Sequence, residues 1–365
     1  MSVTEAENGH VPLVWLVIGD KPGDNAQVMA LARALGWPFV VKQVFPKPEW
    51  VLGKPRFVAG LDHLDLARSA TLEPPWPDLV LTVGRRSSAA ALWIREQSNN
   101  RTKIVLIGRP KRWLEKFALV VAPSQFRLPD APNVVSLGLP LMRADPTAVE
   151  AAATVWRSRL AGMARPLTAV FVGGATKPFR FDAEVAAGLV TGLQSLVDRD
   201  GGSLFITTSR RTRPDVVEAL QRALPSGSEL FAWRADAMDN PFLGLLGLAD
   251  RFVVTGDSIS MLVEVASLNR PLAIFPLPTV DALGDRLRRM VGRLTAPGSP
   301  AEPLARSVQK LGLAGYSRDL ELVHQHLFDR GAAVPFGQPF KQAGAGLDDE
   351  LGGVVQRVRG LLAEP

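Results

Sequence analysis

Thr255-Gly-Asp-Ser-Ile-Ser-Met-Leu-Val-Glu264 lies between two apolar runs, and its reading decides the fold. Arg251-Phe-Val-Val-Thr255 has the composition of a short buried strand. Ser258 to Leu268 reads as a helix, and Pro271-Leu-Ala-Ile-Phe-Pro276 as the next strand. A glycine, an aspartate, two serine hydroxyls and a helix start therefore fall at the carboxyl end of a parallel strand. In open α/β sheets that is where ligands bind. The free N–H groups and positive dipole end of a helix start favour a phosphate there. Glu264, further along the same helix, is placed to accept hydrogen bonds from a sugar hydroxyl. The segment reads as a nucleotide-diphosphate site in a two-domain enzyme.

The 365 residues suffice for two domains, and 47% hydrophobic with 21% charged residues is an ordinary globular balance. The absence of cysteine excludes a disulfide framework, a thiolate metal site and a cysteine nucleophile. The histidines (His10, His63, His324 and His326) are scattered, and no metal site is expected from them. The formal charge is +6, with basic clusters at Arg109–Arg112, Arg210–Arg213 and Arg286–Arg289. Neither a dense basic stripe nor a nucleic-acid module accompanies them, so nucleic acid is not an expected partner. Most of these charges read as solvated helix faces. An anionic substrate or an anionic membrane surface is the next reading. The apolar run Val11–Ile18 is too short to span a bilayer, and no signal peptide stands out. The expectation is a cytoplasmic protein, with peripheral contact at the inner membrane face as an option.

Alternating strand and helix patterns argue for α/β architecture with parallel sheets. Residues 1–145 read as an N-terminal Rossmann-like domain. The helical stretch from Asp145, within 146–162, reads as a connector, and 163–330 as a second Rossmann-like domain restarting the same grammar at Leu167–Val172. Residues 331–365 read as a loop, Gly331–Gly346, then a helix with Leu351, Val354, Val355, Val358, Leu361 and Leu362 on one face, packing back on the core. The two sheets are expected to face a cleft between the domains.

Five turns from strand to helix carry candidate chemistry. Gly19-Asp-Lys-Pro-Gly-Asp-Asn25 follows the first strand, and either Asp20 or Asp24 can serve as a general base. The competing reading is that Asp24 or Asn25 caps the helix. In Val83-Gly-Arg-Arg-Ser-Ser88, Arg85, Arg86 and Ser87 can hold an anion, or form a solvated pair beside a serine cap. Gly173-Gly-Ala-Thr-Lys-Pro178 can bring backbone N–H groups and Lys177 to a pyrophosphate. Thr207-Thr-Ser-Arg-Arg-Thr-Arg213 offers Ser209 and Arg210 to a phosphate. In Asp239-Asn-Pro-Phe242, Asn240 caps a helix or contacts a ligand, and Trp233 lines a nucleotide pocket or belongs to the core. Neither a Walker loop nor a Gly-x-Gly-x-x-Gly fingerprint is present. The shared position of these turns, at strand ends, is the stronger signal.

Together these residues resemble the bacterial and plant family named for the elongated-mitochondria fission protein, which is generally described as glycosyltransferases of the two-Rossmann-domain GT-B type. The matching stretches are Gly19–Gln27, Pro77-Asp-Leu-Val with Gly84-Arg-Arg86, Phe171–Gly174, Thr208–Thr212, Asp239–Phe242, and Thr255–Met261 with Glu264. His326–Gly331 adds a weaker match. Where that family tends to carry Pro-x-His-Asp, this chain has Pro123-Ser-Gln-Phe126, on the acceptor side. The resemblance implies a nucleotide-sugar donor held by the second domain and an acceptor, a saccharide or a lipid-linked molecule, held by the first. Glu264 would bind the donor ribose, and Ser258, Ser260 and the helix start the diphosphate. Gly173, Gly174, Lys177, Ser209, Arg210, Asn240, Gly256 and Asp257 would complete the donor site, Asp257 as a cap or loop-shaping residue. Asp20 or Asp24 would deprotonate the acceptor hydroxyl. Such enzymes need no cofactor and no metal, because helix dipoles and basic side chains stabilise the leaving diphosphate. The alternatives are a non-catalytic interaction or membrane-associated protein retaining the fold, favoured by the missing His-Asp pair, and a nucleotide-sugar epimerase.

Overall fold

The computed structural model describes residues 11–50, 57–110, 112–236, 239–280, 318–341 and 350–363. His10, the Arg286–Arg289 cluster and part of the Gly331–Gly346 stretch lie outside them. The chain divides into two compact units: Met1–Leu141 with Leu294–Arg318 and Asp349–Pro365, and Met142–Arg293 with Asp319–Asp348.

In unit 1 the strands are β1 (Val14–Ile18), β2 (Phe39–Gln43), β3 (Leu79–Val83), β4 (Lys103–Ile107), β5 (Leu119–Pro123) and β6 (Val134–Leu137). They form one parallel sheet in the order β2-β1-β3-β4-β5-β6. β1, β3 and β5 are buried at every position, as expected for apolar strands covered on both faces. On one face, helix α1 (Pro22–Leu35) seats Val28, Leu31 and Leu35 against Leu16 and Leu81. The C-terminal helix Glu350–Ala363 joins that layer through the fully buried Val354 and Val358. Its Glu350 carboxylate accepts from the Gly138 N–H at 2.8 Å, and Arg359 donates to the Leu35 carbonyl at 3.0 Å. On the other face, helix α2 (Arg85–Gln97) packs Ala90, Leu92 and Ile94 over Val17, Val80 and Leu106.

Unit 2 contains α3 (Pro146–Leu160), β7 (Leu167–Val172), α4 (Ala183–Asp200), β8 (Ser203–Thr208), α5 (Pro214–Arg222), β9 (Glu229–Phe231), α6 (Phe242–Leu248), β10 (Arg251–Thr255), α7 (Ile259–Ser267), β11 (Leu272–Phe275), α8 (Glu321–Asp329) and β12 (Val334–Pro335). Its sheet is also parallel, in the order β12-β11-β10-β7-β8-β9. Two expectations change here. Helix α3, read as a connector, belongs to unit 2. Its apolar face, Val149, Ala153, Trp156 and Leu160, is buried, and a Cβ on Gly244 of α6 would stand 2.6 Å from Trp156. The bare glycine surface of α6 is what lets the two helices approach. Val334–Pro335, read as loop, adds an edge strand because Val334 pairs with Ala273 and the Phe336 N–H reaches the Ile274 carbonyl.

Each sheet reverses its strand order once. In unit 1 the chain steps outward from β1 to β2 on one side and continues from β3 on the other. In unit 2 the corresponding pair is β7 and β10. The crevice outside the carboxyl ends of such a pair is the binding position of a doubly wound sheet. The Gly19 and Gly84 turns flank the reversal in unit 1, and the Gly173 and Gly256 turns flank it in unit 2. No helix among the described residues is long and apolar enough to cross a membrane.

Candidate functional site

In unit 2 the two turns are fastened to each other. The Gly173 N–H donates to Thr255 Oγ1 at 2.8 Å, and the Gly174 N–H to Asp257 Oδ2 at 2.8 Å. Thr255 Oγ1 donates in turn to Asp257 Oδ1 at 2.8 Å. Asp257 is only 2% exposed, and burial raises its carboxyl pKa against the pull of these hydrogen bonds. The Gly173-Gly174 amides, expected to face a pyrophosphate, are thus spent within the protein. Asp257 shapes the loop and does not cap α7, whose N-cap is Ser258.

A third turn is pinned to the same place. Thr212 Oγ1 donates to the Gly173 carbonyl at 2.6 Å and accepts from the Ser209 N–H at 2.9 Å. The Arg211 N–H reaches Ser209 Oγ at 3.3 Å, and Arg211 Nη1 reaches Thr176 Oγ1 at 2.5 Å. Ser209 therefore closes a local turn, whereas Arg210 and Lys177 are exposed beside it. A Cβ on Gly174 would lie 2.2 Å from the Arg211 carbonyl oxygen, a backbone atom held by this network. Gly174→Ala is accordingly expected to destabilise the protein by about 3 kcal/mol, read by urea denaturation.

Helix α7 presents what remains open. Its first i→i−4 bond runs from the Leu262 N–H to the Ser258 carbonyl, so the N–H groups of Ile259, Ser260 and Met261 precede the ladder. Among the described residues no side chain caps this end. Leu262, Val263, Val265 and Ala266 are buried, while Ser260 and Glu264, four residues apart and on one face, are partly exposed. Among the described residues the Glu264 carboxylate has no hydrogen bond or ion pair. Burial alone pushes its pKa up from 4.5 to about 7. Asn240 Oδ1 accepts from the Phe242 N–H at 3.0 Å, at the start of α6. Trp233 is half-buried, its N–H bonded to Thr208 Oγ1 at 2.8 Å.

His324 of α8 is a member of the site that the sequence did not mark. Its Nε2–H donates to the Gly256 carbonyl at 2.6 Å, and its ring stacks on Phe179 with centroids 6.2 Å apart. A Cβ on Gly256 would stand 2.8 Å from the imidazole, so glycine is what admits it. Burial holds the His324 pKa below its usual 6.5, leaving the ring neutral near pH 7. A group with a depressed basic pKa loses its stabilising contribution as pH falls below its unfolded value. The stability advantage of the wild type over His324→Gln is therefore expected to shrink below about pH 6.5, measured by urea melts across the acid range.

In unit 1, α1 begins earlier than read, at Pro22, with Lys21 as N-cap. This removes the capping role considered for Asp24 and Asn25. Pro22 starts the helix because proline fixes a helical φ where no N–H is needed. Asn25 instead reaches back, Nδ2 donating to the Gly19 carbonyl at 2.9 Å. Asp24 sits in the first turn, with Oδ2 4.0 Å from where a Cβ on Gly84 would stand and 3.9 Å from Lys21 Nζ. Partial burial raises its pKa, Lys21 and Arg318 pull it down, and Asp20 adds to the rise. Asp20 is exposed on the loop. Arg85 opens α2, with Arg86 next. Arg86 Nη2 donates to the Trp50 carbonyl, and the Arg86 carbonyl accepts from His63 Nε2 at 3.0 Å. Ser87 is buried, its Oγ 3.5 Å from where a Cβ on Gly19 would stand, so the Gly19 and Gly84 turns are in contact.

The family model described as Mitochondrial fission ELM1 matches residues 22–310. The chain belongs to the mitochondrial fission ELM1 family. The ELM1 match starts at the first residue of α1 and runs past α7, so Asp24, Arg85, Gly174 and Glu264 all fall inside it. A curated relative, the mitochondrial fission protein ELM1 of Arabidopsis thaliana, is 27% identical over 233 residues, which are 58% of this chain and 54% of that protein. The match thus spans about half the length of the plant ELM1 protein. An uncharacterized protein of Rickettsia prowazekii, RP120, is 23% identical over 309 residues, covering 75% of this chain and 86% of its own. Among solved structures, a UDP-GlcNAc 2-epimerase from Methanocaldococcus jannaschii superposes with a TM-score of 0.49 at 10% identity, over 95% of this chain and 99% of that one.

Proposed function

We propose that this ELM1-family protein transfers a glycosyl group from a nucleotide-diphosphate sugar to an acceptor hydroxyl. The observation that carries the reading is the open face of α7. Glu264, a half-buried carboxylate without a partner among the described residues, shares that face with Ser260, one turn from the first amide donors of the helix. That combination suits a ligand with sugar hydroxyls at one end and phosphates at the other.

In this reading the hydroxyls of the donor ribose donate to Glu264. The diphosphate lies on the N–H groups of Ile259, Ser260 and Met261. The acceptor oxygen attacks the anomeric carbon of the donor sugar. As that C–O bond forms, the bond from the anomeric carbon to the diphosphate oxygen breaks. The departing nucleoside diphosphate gains negative charge, which the amides and dipole of α7 stabilise. The proton of the acceptor hydroxyl passes to a carboxylate, and Asp24 suits this role better than the exposed Asp20. Burial raises its pKa, which makes its carboxylate the stronger base.

The test is transfer itself. The purified protein is incubated with nucleotide sugars and candidate hydroxyl acceptors, and products are analysed by mass spectrometry. Formation of a glycoside with release of nucleoside diphosphate supports the reading. Asp24→Asn is expected to lower turnover by roughly two orders of magnitude or more, with donor binding retained. Release of a free sugar with altered configuration would instead identify an epimerase.

A further inference from the structure

Unit 1 gathers guanidinium groups at the carboxyl ends of two adjacent strands. Arg85 and Arg86 follow β3, and Arg109 and Arg112 follow β4. Val83 pairs with Ile107, so the two loops leave the sheet side by side. Among the described residues, the charges of Arg112 and Arg86 act on Arg85, and both, after burial, lower its pKa. Burial also lowers the pKa of Arg109, whose guanidinium lies over the Phe126 ring at 5.5 Å.

Three further features favour an anion at this place. The first turn of α2 adds a positive dipole end, and its N-cap, Gly84, brings no side chain of its own. Arg112 and Arg86 stand close enough for their charges to act on Arg85, and an anion placed among them is attracted by all three. β5 lies next to β4, and the turn after it, Pro123-Ser-Gln-Phe126, holds Gln125 at 3% exposure. Its Oε1 has no hydrogen-bond partner among the described residues. That open acceptor suits a hydroxyl carried by the same anionic ligand.

We propose that Arg85, Arg86, Arg109 and Arg112 form a binding site for a phosphate or diphosphate group. Joined to the transferase reading, on which this second step rests, the site makes the acceptor a phosphorylated molecule. Planar guanidinium forks suit phosphate oxygens, which they bind bidentately. In the departure from Pro-x-His-Asp at Pro123–Phe126, the uncharged Phe126 then stands where a carboxylate would repel that anion.

The experiment is calorimetric titration of the full chain with inorganic pyrophosphate, for the wild type, Arg85→Ala/Arg112→Ala and Arg112→Glu. The double variant is expected to weaken binding about tenfold or more. Arg112 is exposed, so Arg112→Glu keeps the test valid if the double variant does not fold. Nucleotide-sugar binding in the same variants should stay at the wild-type level. Pyrophosphate binding that is absent, or equal in the wild type and Arg112→Glu, overturns the proposal. If that happens while nucleotide sugars bind, the transferase reading survives without it. If pyrophosphate binding depends on the arginines but no nucleotide sugar binds, the anion site stands and the transferase reading falls. Two further arms identify the carrier. A soluble sugar phosphate and phosphatidylcholine vesicles with and without phosphatidic acid are compared, each with Arg112→Glu as control.

Discussion

Glu264→Gln is expected to make the protein more stable above neutral pH while weakening its hold on a nucleotide sugar. The carboxyl pKa is about 7 in the folded protein against an ordinary 4.5, and burial is the cause. Between these values the folded state holds a proton that the unfolded chain has released. Stability therefore falls as pH rises through that window, and the full loss is present above about pH 7. The shift corresponds to on the order of 3 kcal/mol acting against the ionised form. Glutamine fills the same space without ionising, so the variant should gain up to that amount near pH 8 and nothing near pH 4.5. Urea melts of both proteins at the two extremes measure it. Donor binding should respond with the opposite sign. A carboxylate accepts sugar hydroxyls more strongly than a neutral amide, by about 1 kcal/mol or more per bond. Wild-type affinity should rise as pH climbs through about 7, and the variant should show lower affinity with no such rise. A stability gain coupled to a functional loss is the mark of a residue retained for a ligand.

Asp257→Ala should have the largest effect on the fold of the site. The carboxylate accepts the Gly174 N–H and the Thr255 hydroxyl, each at 2.8 Å, in a place where it is 2% exposed. Removing it leaves a buried backbone donor without a partner and a space behind it. Relief of the desolvated charge offsets part of this loss. A net destabilisation of about 3 kcal/mol is expected, from the orphaned N–H and the lost charged hydrogen bonds. Asp257→Asn should be milder, because its amide oxygen can keep the Gly174 N–H while its NH₂ donates to Thr255 Oγ1. Hydrogen exchange reads the effect locally: the Gly173 and Gly174 amides should lose protection in the alanine variant and largely keep it in the asparagine variant.

The fold was legible where buried parallel strands wrote themselves as mainly apolar runs. Val14–Ile18, Leu167–Val172 and Arg251–Thr255 are such runs, each followed by a glycine turn, and each is a strand. Strand order was not legible, because it rests on register between segments far apart in the chain. Helix α3 was misread as a connector because its apolar face looks the same whether it bridges two units or packs on one. β12 is two residues long and held by backbone pairing, which leaves no side-chain pattern to read. The site followed the same division. The strand-to-helix turns could be found from Gly, Asp and Ser placement. That Asp257 and Thr255 consume the Gly173 and Gly174 amides could not, since those partners are 82 and 83 residues apart. His324, 68 residues from the carbonyl it holds, carries no local signal. Glu264 was legible as a residue, but its elevated pKa depends on packing that only the fold supplies.

Whether α7 and Glu264 hold a nucleotide sugar is decided by calorimetry of the wild type and Glu264→Gln against uridine, guanosine, cytidine and thymidine diphosphate sugars at a pH above 7. The wild type should bind at least one donor saturably, and the variant about tenfold more weakly. Binding of none of these donors, or equal affinity in the two proteins, rules out this role for the helix and its carboxylate.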